Sequence, residues 1–400
     1  MLSMSILIAL AGKPNCGKST FFKAATLADV EIANYPFTTI KPNLGVSYVR
    51  AKCPCKELHL ACKKCVNGER FIAVELLDVA GLVPEAHKGK GLGNAFLDDM
   101  RQAQAIIHVI DASGGTDIEG NVVPIGSHAP LDDIKFLENE ITMWMYGILN
   151  KNWIKLSRKA SASGEKVEDV IAEQLAGLGV DAVMAKQALL ETGLADRHIS
   201  SWTEAEMIEL SDYLRRISKP LVIAANKADI APPENLEKLK GLEKEGYRVI
   251  PCSAGIELAL RNAASHGYID YLPGDEGFTI KNPEKLTPQQ KAALDKMAAF
   301  LKRNGGTGIQ KCINEVVFGL LNYIVVYPVE DEGKFTDKSG NVLPDAFLVK
   351  KGSTARDLAY KVHTQIGESF LFGVNARTKM RLGEKHELQN NDIVKIASTR

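Results

Sequence analysis

Short apolar segments recur along the chain, and each runs directly into a polar or glycine-rich turn. The segments are Ile6–Ala11, Phe71–Leu77, Pro220–Ala225 and Arg248–Pro251. They are too short to span a membrane, and their mostly apolar composition is typical of strands buried on both faces. Such strands, separated by longer helical stretches, predict an α/β fold with a doubly wound, mostly parallel sheet.

The middle of the chain is much longer than one strand–helix–strand crossover requires. Its apolar residues recur at helical spacing, first at Leu131, Ile134, Leu137 and Ile141, and again from Val167 to Leu178. We therefore expect an inserted α-helical subdomain at 126–217, within a domain made of 1–125 and 218–275. Three tryptophans fit the core of this subdomain or, alternatively, a surface that docks on a partner: Trp144, Trp153 and Trp202.

The last third of the chain has two regions with different sequence patterns. A helical connector at 276–321 contains a helix from Pro288 to Arg303 and breaks at Gly305–Gly306. From residue 322 to the end, the pattern is strand, loop, strand, helix, strand, turn and strand, which predicts a small β-grasp sheet.

A glycine-rich motif follows the first apolar segment. Residues Gly12–Ser19 fit the G-x-x-x-x-G-K-[ST] pattern between a strand and a helical start. In this pattern backbone amides surround a phosphate, Lys18 neutralises phosphate oxygens and the Ser19 hydroxyl binds Mg²⁺. The expected nucleotide contacts are Asn15, Cys16, Gly17, Lys18, Ser19 and Thr20. A glycine turn without a ligand is the structural alternative.

A second motif, Asp78–Gly81, ends the segment Phe71–Leu77 and matches D-x-x-G. Asp78 is expected to hold Mg²⁺ through water, and the Gly81 amide to sense a γ-phosphate during catalysis. Between the two motifs, the proline- and threonine-containing loop 34–43 is suited to a switch. We expect Thr39, rather than Thr38, to complete the Mg²⁺ shell.

Two further segments predict a guanine site. Asn226–Asp229 is an N-K-x-D element at the end of an apolar strand, where ligands gather in doubly wound sheets. The Asp229 carboxylate can accept hydrogen bonds from guanine, whereas adenine would leave it unpaired. The amides of Ser253 and Ala254, after the next strand, could meet the guanine O6. With Lys227, these residues form the expected base site.

Together these segments resemble the Obg-type family of translation-factor GTPases, specifically its YchF-like branch. The resemblance is carried by Gly12–Thr20, Tyr35–Thr39, Asp78–His87 and, most specifically, Gly89–Asn94. It implies a P-loop GTPase domain, a helical insertion and a C-terminal TGS domain, which also occurs in threonyl-tRNA synthetases and stringent-response synthetases. Bacterial and eukaryotic members usually have an altered base motif and accept ATP. This chain keeps Asn226–Asp229 intact, which favours GTP and an archaeal-type member.

The position after D-x-x-G is Leu82, where Ras-like enzymes have the glutamine that orients the attacking water. Leucine has no hydrogen-bonding group. The resemblance implies His87, on a glycine- and lysine-rich loop, as a mobile catalytic histidine; an idle solvent-exposed histidine is the alternative. Asn15 offers another route, because an asparagine here ligates K⁺ in cation-activated GTPases; a simple loop cap is the alternative. Intrinsic turnover is expected to be slow.

Four of the seven cysteines lie close together in a polar insertion at 51–69. Cys53, Cys55, Cys62 and Cys65 form C-x-C-x6-C-x2-C. Four thiolates could hold a structural Zn²⁺ in a closed tetrahedral site. A flexible loop of reduced thiols, sometimes oxidised in pairs, is the alternative.

Charge does not identify a partner for the whole chain, since 49 basic residues balance 49 acidic ones. The TGS resemblance implies contact with RNA or the ribosome, and a local group of Arg377, Lys379 and Arg381 suits either phosphate contacts or an ordinary solvated surface. We expect a cytoplasmic monomer with no membrane contact.

The function expected from the sequence is Mg²⁺-dependent hydrolysis of GTP to GDP and phosphate in a switch that acts in translation. A P-loop kinase or metabolic ATPase should lack the N-K-x-D element. A largely non-catalytic RNA- or ribosome-binding adaptor, and a protein that also accepts ATP, remain as alternatives.

Overall fold

The computed structural model describes residues 6–26, 43–81, 85, 99–151, 153, 157 and 164–399. The chain divides into two compact units. The first contains Ile6–Ser47 and Glu75–Val316, and the second contains Tyr48–Val74 and the chain from Val317 onward.

The first unit contains most of a six-stranded sheet, of which residues 48–52 and 69–74 belong to the second unit. Its strands, in chain order, are β1 (Leu7–Ala11), β2 (Leu44–Lys52), β3 (Glu69–Asp78), β4 (Ala105–Asp111), β5 (Leu221–Asn226) and β6 (Arg248–Pro251). They are arranged in the order β2-β3-β1-β4-β5-β6. Strands β3, β1, β4, β5 and β6 are parallel. Every residue of β4 is buried, as expected for an inner strand covered on both faces. The predicted doubly wound α/β fold is confirmed.

The register of these parallel strands brings their carboxyl ends to one edge. Leu10 is paired with Asp78, and Asp111 with Asn226. Ligands of open α/β sheets bind at this edge. The loop after β1 and the motifs that end β3 and β5 are therefore neighbours, although they are far apart in sequence.

Helices surround this sheet and form the insertion. They are α1 (Lys18–Thr26), α2 (Pro130–Lys151), α3 (Val167–Leu175), α4 (Ala182–Glu191), α5 (Glu204–Ser218), α6 (Pro233–Gly241), α7 (Ala254–Ser265), α8 (Pro288–Asn304) and α9 (Ile309–Asn314). Two short strands, β7 (Ile269–Asp270) and β8 (Thr279–Ile280), pair antiparallel. Helix α8 begins at a Thr287–Gln290 capping box and ends at Gly305 in the left-handed conformation, close to the predicted limits.

Helices α2 to α5 share one apolar core, which confirms the predicted helical insertion. The core includes Leu137, Ile141 and Met145 from α2 and Leu210 and Leu214 from α5, all buried. Two of the three tryptophans are buried in it, with Trp153 and Trp202 ring centroids 5.2 Å apart. Leu190 of α4 faces solvent, with 60% of its surface exposed, whereas the adjacent Leu189 is buried.

The second unit contains a five-stranded sheet in the order β10-β9-β13-β11-β12. Strands β9 and β13 pair parallel, and the other neighbours pair antiparallel. This order confirms the β-grasp domain. Its elements are β9 (Tyr323–Val329), β10 (Phe347–Lys350), α10 (Ala355–Val362), α11 (Thr364–Glu368), β11 (Phe370–Asn375), β12 (Arg381–Leu382) and β13 (Ile393–Ser398).

The cysteine-containing segment between β2 and β3 belongs to this second unit. The buried Arg70 side chain donates to the backbone oxygens of Leu343 and Pro344 at 2.8 and 3.1 Å. The sequence predicts 51–69 as an insertion in the first domain, and this association with the β-grasp fold does not follow from it.

Candidate nucleotide-binding site

The loop between β1 and α1 is shaped by two glycines. Gly17 has a φ of +93°, and a Cβ added there would lie 2.3 Å from Asn226 Nδ2. A Cβ added to Gly12 would lie 2.3 Å from the Val109 carbonyl oxygen. The loop therefore lies directly against the ends of β4 and β5, and only glycine fits these two positions.

Lys18, Ser19 and Asp78 converge at the ends of α1 and β3. Lys18 Nζ lies 3.2 Å from Asp78 Oδ1 and donates to the Val79 carbonyl oxygen. Ser19 Oγ donates to Asp78 Oδ2 at 3.3 Å. Asp78 Oδ1 is buried and accepts no hydrogen bond within the part of the chain that the structure describes. These hard oxygen donors beside a lysine are the groups that Mg²⁺ and phosphate require.

The Asn226 side chain connects the phosphate loop to the turn after β6. Its Nδ2 donates to the Cys16 carbonyl oxygen at 2.9 Å, and its Oδ1 accepts from the Ala254 amide at 3.0 Å. Asn226 is buried, with 2% of its surface exposed. One amide side chain thus satisfies two backbone groups that come from different motifs.

Lys227 makes a second connection, in which Asp111 takes part. Lys227 Nζ donates to the Asn15 carbonyl oxygen at 2.9 Å and to Asp111 Oδ2 at 2.8 Å. Asp111 is fully buried and also accepts from Ser113 and Thr116. Burial alone would raise the pKa of Asp111, but the hydrogen bonds from Lys227 and Ser113 hold it below its usual value.

Asp111 was not among the residues predicted from the sequence. The available signal was its place at the carboxyl end of a mostly apolar strand, two residues before a serine whose hydroxyl donates a hydrogen bond to it.

The remaining base-site residues are arranged partly as expected. The Asp229 side chain is exposed. Ser253 is buried, and its hydroxyl accepts from the Ile256 amide at the start of α7. The amide of Ser253 donates to the Thr307 carbonyl oxygen, and that of Ala254 to Asn226. Both amides therefore have intramolecular acceptors in this structure, and their contact with guanine O6 stays a prediction.

A folded loop at 113–128 lies against the phosphate loop. Asn15 Nδ2 donates to the Gly120 carbonyl oxygen at 3.0 Å, so the Asn15 amide nitrogen is engaged. Gly120 has a φ of +89°, and a Cβ added there would lie 2.7 Å from Pro14. This close approach requires glycine and was not predicted from the sequence.

Lys13 anchors the same loop to helix α2 through a buried ion pair. Its Nζ donates to the Thr116 carbonyl oxygen at 2.8 Å and lies 2.9 Å from the Asp133 carboxylate. His128 Nε2 lies 2.7 Å from the same carboxylate. Burial raises the pKa of Asp133, and the contacts with Lys13 and His128 oppose that rise.

The segment after D-x-x-G is described only in part. A Cβ added to Gly81 would lie 3.2 Å from Pro14 Cγ, so this glycine borders the phosphate loop. The Glu85 amide donates to Glu140 Oε1 of helix α2 at 2.9 Å. The predicted residues Thr39 and His87, together with Leu82 and Gly89–Asn94, lie outside the described residues.

The four predicted metal-ligand cysteines come together in the second unit. The Sγ atoms of Cys53, Cys55, Cys62 and Cys65 all lie within 4.8 Å of one another.

The basic residues predicted for phosphate contact have partners within the second unit. Arg377 pairs with Glu57, and Lys379 donates to the Glu332 carbonyl oxygen. The Arg381 guanidinium lies 3.8 Å from the centroid of the Phe372 ring. These contacts favour the structural alternative, in which the group belongs to an ordinary folded surface.

Three family models match the chain. One is described as an Obg-like GTPase YGR210-like, G4 motif-containing domain (residues 224–331), one as a 50S ribosome-binding GTPase (7–141), and one as a TGS domain (335–398). A GTP-binding protein of Methanocaldococcus jannaschii is 53% identical over 98% of this chain and 99% of its own length. The chain belongs to the Obg-like, YchF-related family of P-loop GTP-binding proteins.

Other members agree with this assignment over most of their length. A GTP-binding protein of Schizosaccharomyces pombe is 36% identical, covering 90% of this chain and 91% of its own. The crystal structure of a GTP-binding protein from Pyrococcus horikoshii is 43% identical, covers 98% of this chain and 100% of its own, and has a TM-score of 0.78. The predicted family and its P-loop, helical and TGS architecture are confirmed.

None of the helices in the described ranges is long and apolar enough to cross a membrane.

Proposed function

We propose that this family member binds GTP with Mg²⁺, hydrolyses it to GDP and phosphate, and uses the two nucleotide states to control an interaction with the ribosome. The observation that carries the proposal is the Asn226 side chain, which joins the phosphate loop at Cys16 to the base-side turn at Ala254. This connection supports the proposal, because it ties the loop proposed to hold the phosphates to the turn proposed to hold the base.

Guanine is the base that the sequence favours. Asp229 follows Asn226 and Lys227 at the end of β5, and its carboxylate suits the N1–H and exocyclic amine of guanine. Adenine has an acceptor at N1 and would leave the carboxylate unpaired. Relatives named ribosome-binding ATPase YchF, such as a Haemophilus ducreyi protein 32% identical over 67% of this chain, make ATP the competitor to test.

Mg²⁺ fits the residues at the ends of α1 and β3. Ser19 and Asp78 offer hydroxyl and carboxylate oxygens, and Asp78 Oδ1 is paired with the Lys18 ammonium at 3.2 Å but accepts no well-aligned hydrogen bond among the described residues. When bound, the metal would neutralise charge on the phosphate oxygens. Lys18 lies beside the same carboxylate and would contribute a further positive charge to the phosphates. Thr39 is the proposed switch ligand.

Water positioning for hydrolysis is assigned to His87 or to K⁺ at Asn15. Leu82 cannot orient a water molecule, so another group has to do so. Asn15 Nδ2 donates to Gly120, which leaves its Oδ1 as the atom suited to K⁺. Gly81 is the proposed γ-phosphate sensor, since it borders Pro14 of the phosphate loop.

The ribosome is the proposed partner, and a ribosomal partner would place the protein in the cytoplasm. Several relatives are named ribosome-binding, and the TGS domain is present here. Helix α2 contacts both Lys13 of the phosphate loop and the Glu85 amide, so it is the element best connected to the nucleotide state.

The proposal is tested by nucleotide binding and turnover of the full chain. GTP and ATP are compared in K⁺ and in Na⁺, with and without ribosomes, and Lys18→Ala serves as the binding-deficient control. We expect tight GTP binding, slow Mg²⁺-dependent turnover that is faster in K⁺, and a nucleotide-dependent affinity for ribosomes. Binding without turnover in every condition would identify the adaptor alternative, and preference for ATP would overturn the guanine assignment.

The role of His87 is tested by single-turnover hydrolysis. His87→Ala is compared with His266→Ala, which alters an exposed histidine after α7. We expect slower hydrolysis with unchanged GTP affinity for the first variant and no effect for the second. Equal rates for His87→Ala and the wild type would exclude a catalytic role for His87. K⁺ or a partner would then remain as the group that positions the water.

A further inference from the structure

The segment between β2 and β3 gathers four thiols from 13 consecutive residues. All four Sγ atoms lie within 4.8 Å of one another, and those of Cys55 and Cys65 lie 3.4 Å apart. A tetrahedral site with Zn–S bonds of about 2.3 Å needs sulfur–sulfur separations of about 3.8 Å. The thiols are thus already close to the separations that one metal ion would impose.

The segment between Cys53 and Arg70 has no apolar core of its own that would stabilise its conformation. Between Cys53 and Arg70, all of which the structure describes, the buried residues other than these two are Pro54, Cys55 and Gly68. Cys53 and Cys55 expose 5% and 4% of their surfaces. A segment this short, which buries cysteines in place of leucines or valines, needs another source of stability.

Two N–H groups are directed at one of the sulfur atoms. The Lys64 amide donates to Cys62 Sγ at 3.3 Å, and Arg70 Nη1 donates to it at 3.4 Å. Donors of this kind stabilise a thiolate, the form of cysteine that binds metals. The segment 51–70 also has five basic and two acidic residues, and its net charge of +3 offsets the −2 charge of a divalent ion with four thiolates.

We propose that Cys53, Cys55, Cys62 and Cys65 bind one Zn²⁺ in a closed tetrahedral site, and that this metal holds the segment against the β-grasp domain. Four thiolates fill the coordination shell of Zn²⁺ and leave no position for a substrate, so the site is structural. The proposal concerns the second unit and is independent of the nucleotide chemistry.

Arg70 transmits the effect of the metal to the β-grasp domain. Its guanidinium contacts Cys62 Sγ and the carbonyl oxygens of Leu343 and Pro344, and it lies 5.8 Å from the Tyr327 ring centroid. Arg70 exposes 4% of its surface. Because these bonds depend on the position of Cys62, loss of the metal is expected to loosen the segment around Leu343.

Metal analysis of the purified full chain tests the site. We expect about one zinc per chain, the stoichiometry of a single tetrahedral site, and most of it should be lost in Cys65→Ser. Cys312→Ala is the matched control, because Cys312 is a buried cysteine of α9 outside the cluster, and it should retain the zinc. If Cys65→Ser does not fold, a mercurial reagent applied to the wild type should release zinc as the four thiols react.

Hydrogen exchange tests the structural role. The Leu343 amide donates to the Phe335 carbonyl oxygen, and its exchange reports on this part of the β-grasp domain. We expect faster exchange there in Cys65→Ser and in Arg70→Ala, although Arg70→Ala should keep its zinc. Protein purified under reducing conditions that contains no metal, contains iron, or forms disulfides within the cluster would overturn the zinc site. Unchanged exchange in both variants would overturn the structural role.

Discussion

The Asn226 side chain offers the sharpest test of how the nucleotide site is held together. In Asn226→Ala, the Cys16 carbonyl oxygen and the Ala254 amide each lose their hydrogen-bond partner, at 2.9 and 3.0 Å. Leaving a buried polar group unsatisfied costs about 1–3 kcal/mol, so we expect a total loss of about 2–6 kcal/mol. If the GDP-bound state is destabilised by about 2 kcal/mol more than the free protein, GDP binding weakens roughly 30-fold.

The assay combines thermal unfolding with equilibrium binding of a fluorescent GDP analogue. The first unit has roughly 280 residues, so a loss of this size lowers its Tm by roughly 3–10 °C. Asn235→Ala is the control, because Asn235 is also buried but donates a single bond, to the Ala112 carbonyl oxygen at 3.1 Å. Asn235→Ala should lower the Tm less, because only one hydrogen bond is lost. It should change GDP affinity by no more than about threefold, because that bond does not join the phosphate loop to the turn after β6.

Asn226→Asp separates the two halves of the interaction. The carboxylate keeps an acceptor for the Ala254 amide but turns a second oxygen towards the Cys16 carbonyl oxygen, which has no proton to donate. We expect weaker GDP binding than in the wild type even though one bond remains. Wild-type Tm and GDP affinity in Asn226→Ala would refute the reasoning, because the two backbone groups would then have found other partners at no cost.

Three further outcomes follow from the same geometry. Asp229→Asn should weaken GTP binding about 100-fold and improve binding of xanthosine triphosphate, because hydrogen bonds to a charged group contribute about 1.5–3 kcal/mol each; competition binding with both nucleotides checks this. Asp111→Asn should lower the Tm at pH 7, where ionised Asp111 stabilises the folded chain through Lys227. Because its folded pKa is lowered from an unfolded value of about 3.9, the Tm difference from wild type should narrow below about pH 4 in a pH series of melts. Gly17→Ala should abolish measurable GDP binding, since the added Cβ would lie 2.3 Å from Asn226 Nδ2; binding equal to wild type would contradict the loop geometry.

Much of the fold follows from local sequence patterns. The apolar run Ile6–Ala11 and the run at Pro220–Ala225 correspond to β1 and β5, and the helical spacing from Leu131 corresponds to α2. These predictions succeed because strand and helix periodicities are properties of neighbouring residues. The phosphate and base motifs are similarly local, and the parallel sheet then brings them to one edge.

The parts that could not be predicted depend on contacts between distant residues. Lys227 donates to Asp111, which lies 116 positions away in the sequence, and Arg70 donates to Leu343, which lies 273 positions away. No periodicity links such pairs, and an aspartate after an apolar strand is also an ordinary strand end. The association of the cysteine segment with the β-grasp domain was missed for the same reason. The hydrogen bonds from the Ser253 and Ala254 amides to Thr307 and Asn226 are likewise contacts that a short motif does not reveal.

The N-K-x-D element contains a buried residue and an exposed residue that have different structural roles. Asn226 is enclosed and holds two backbone segments together, whereas the Asp229 side chain faces outward. A substitution at the exposed position can therefore alter base preference without dismantling the phosphate site, but a substitution at the buried one endangers both. Engineering of the proposed base preference can therefore begin at position 229, provided that Asn226 is retained.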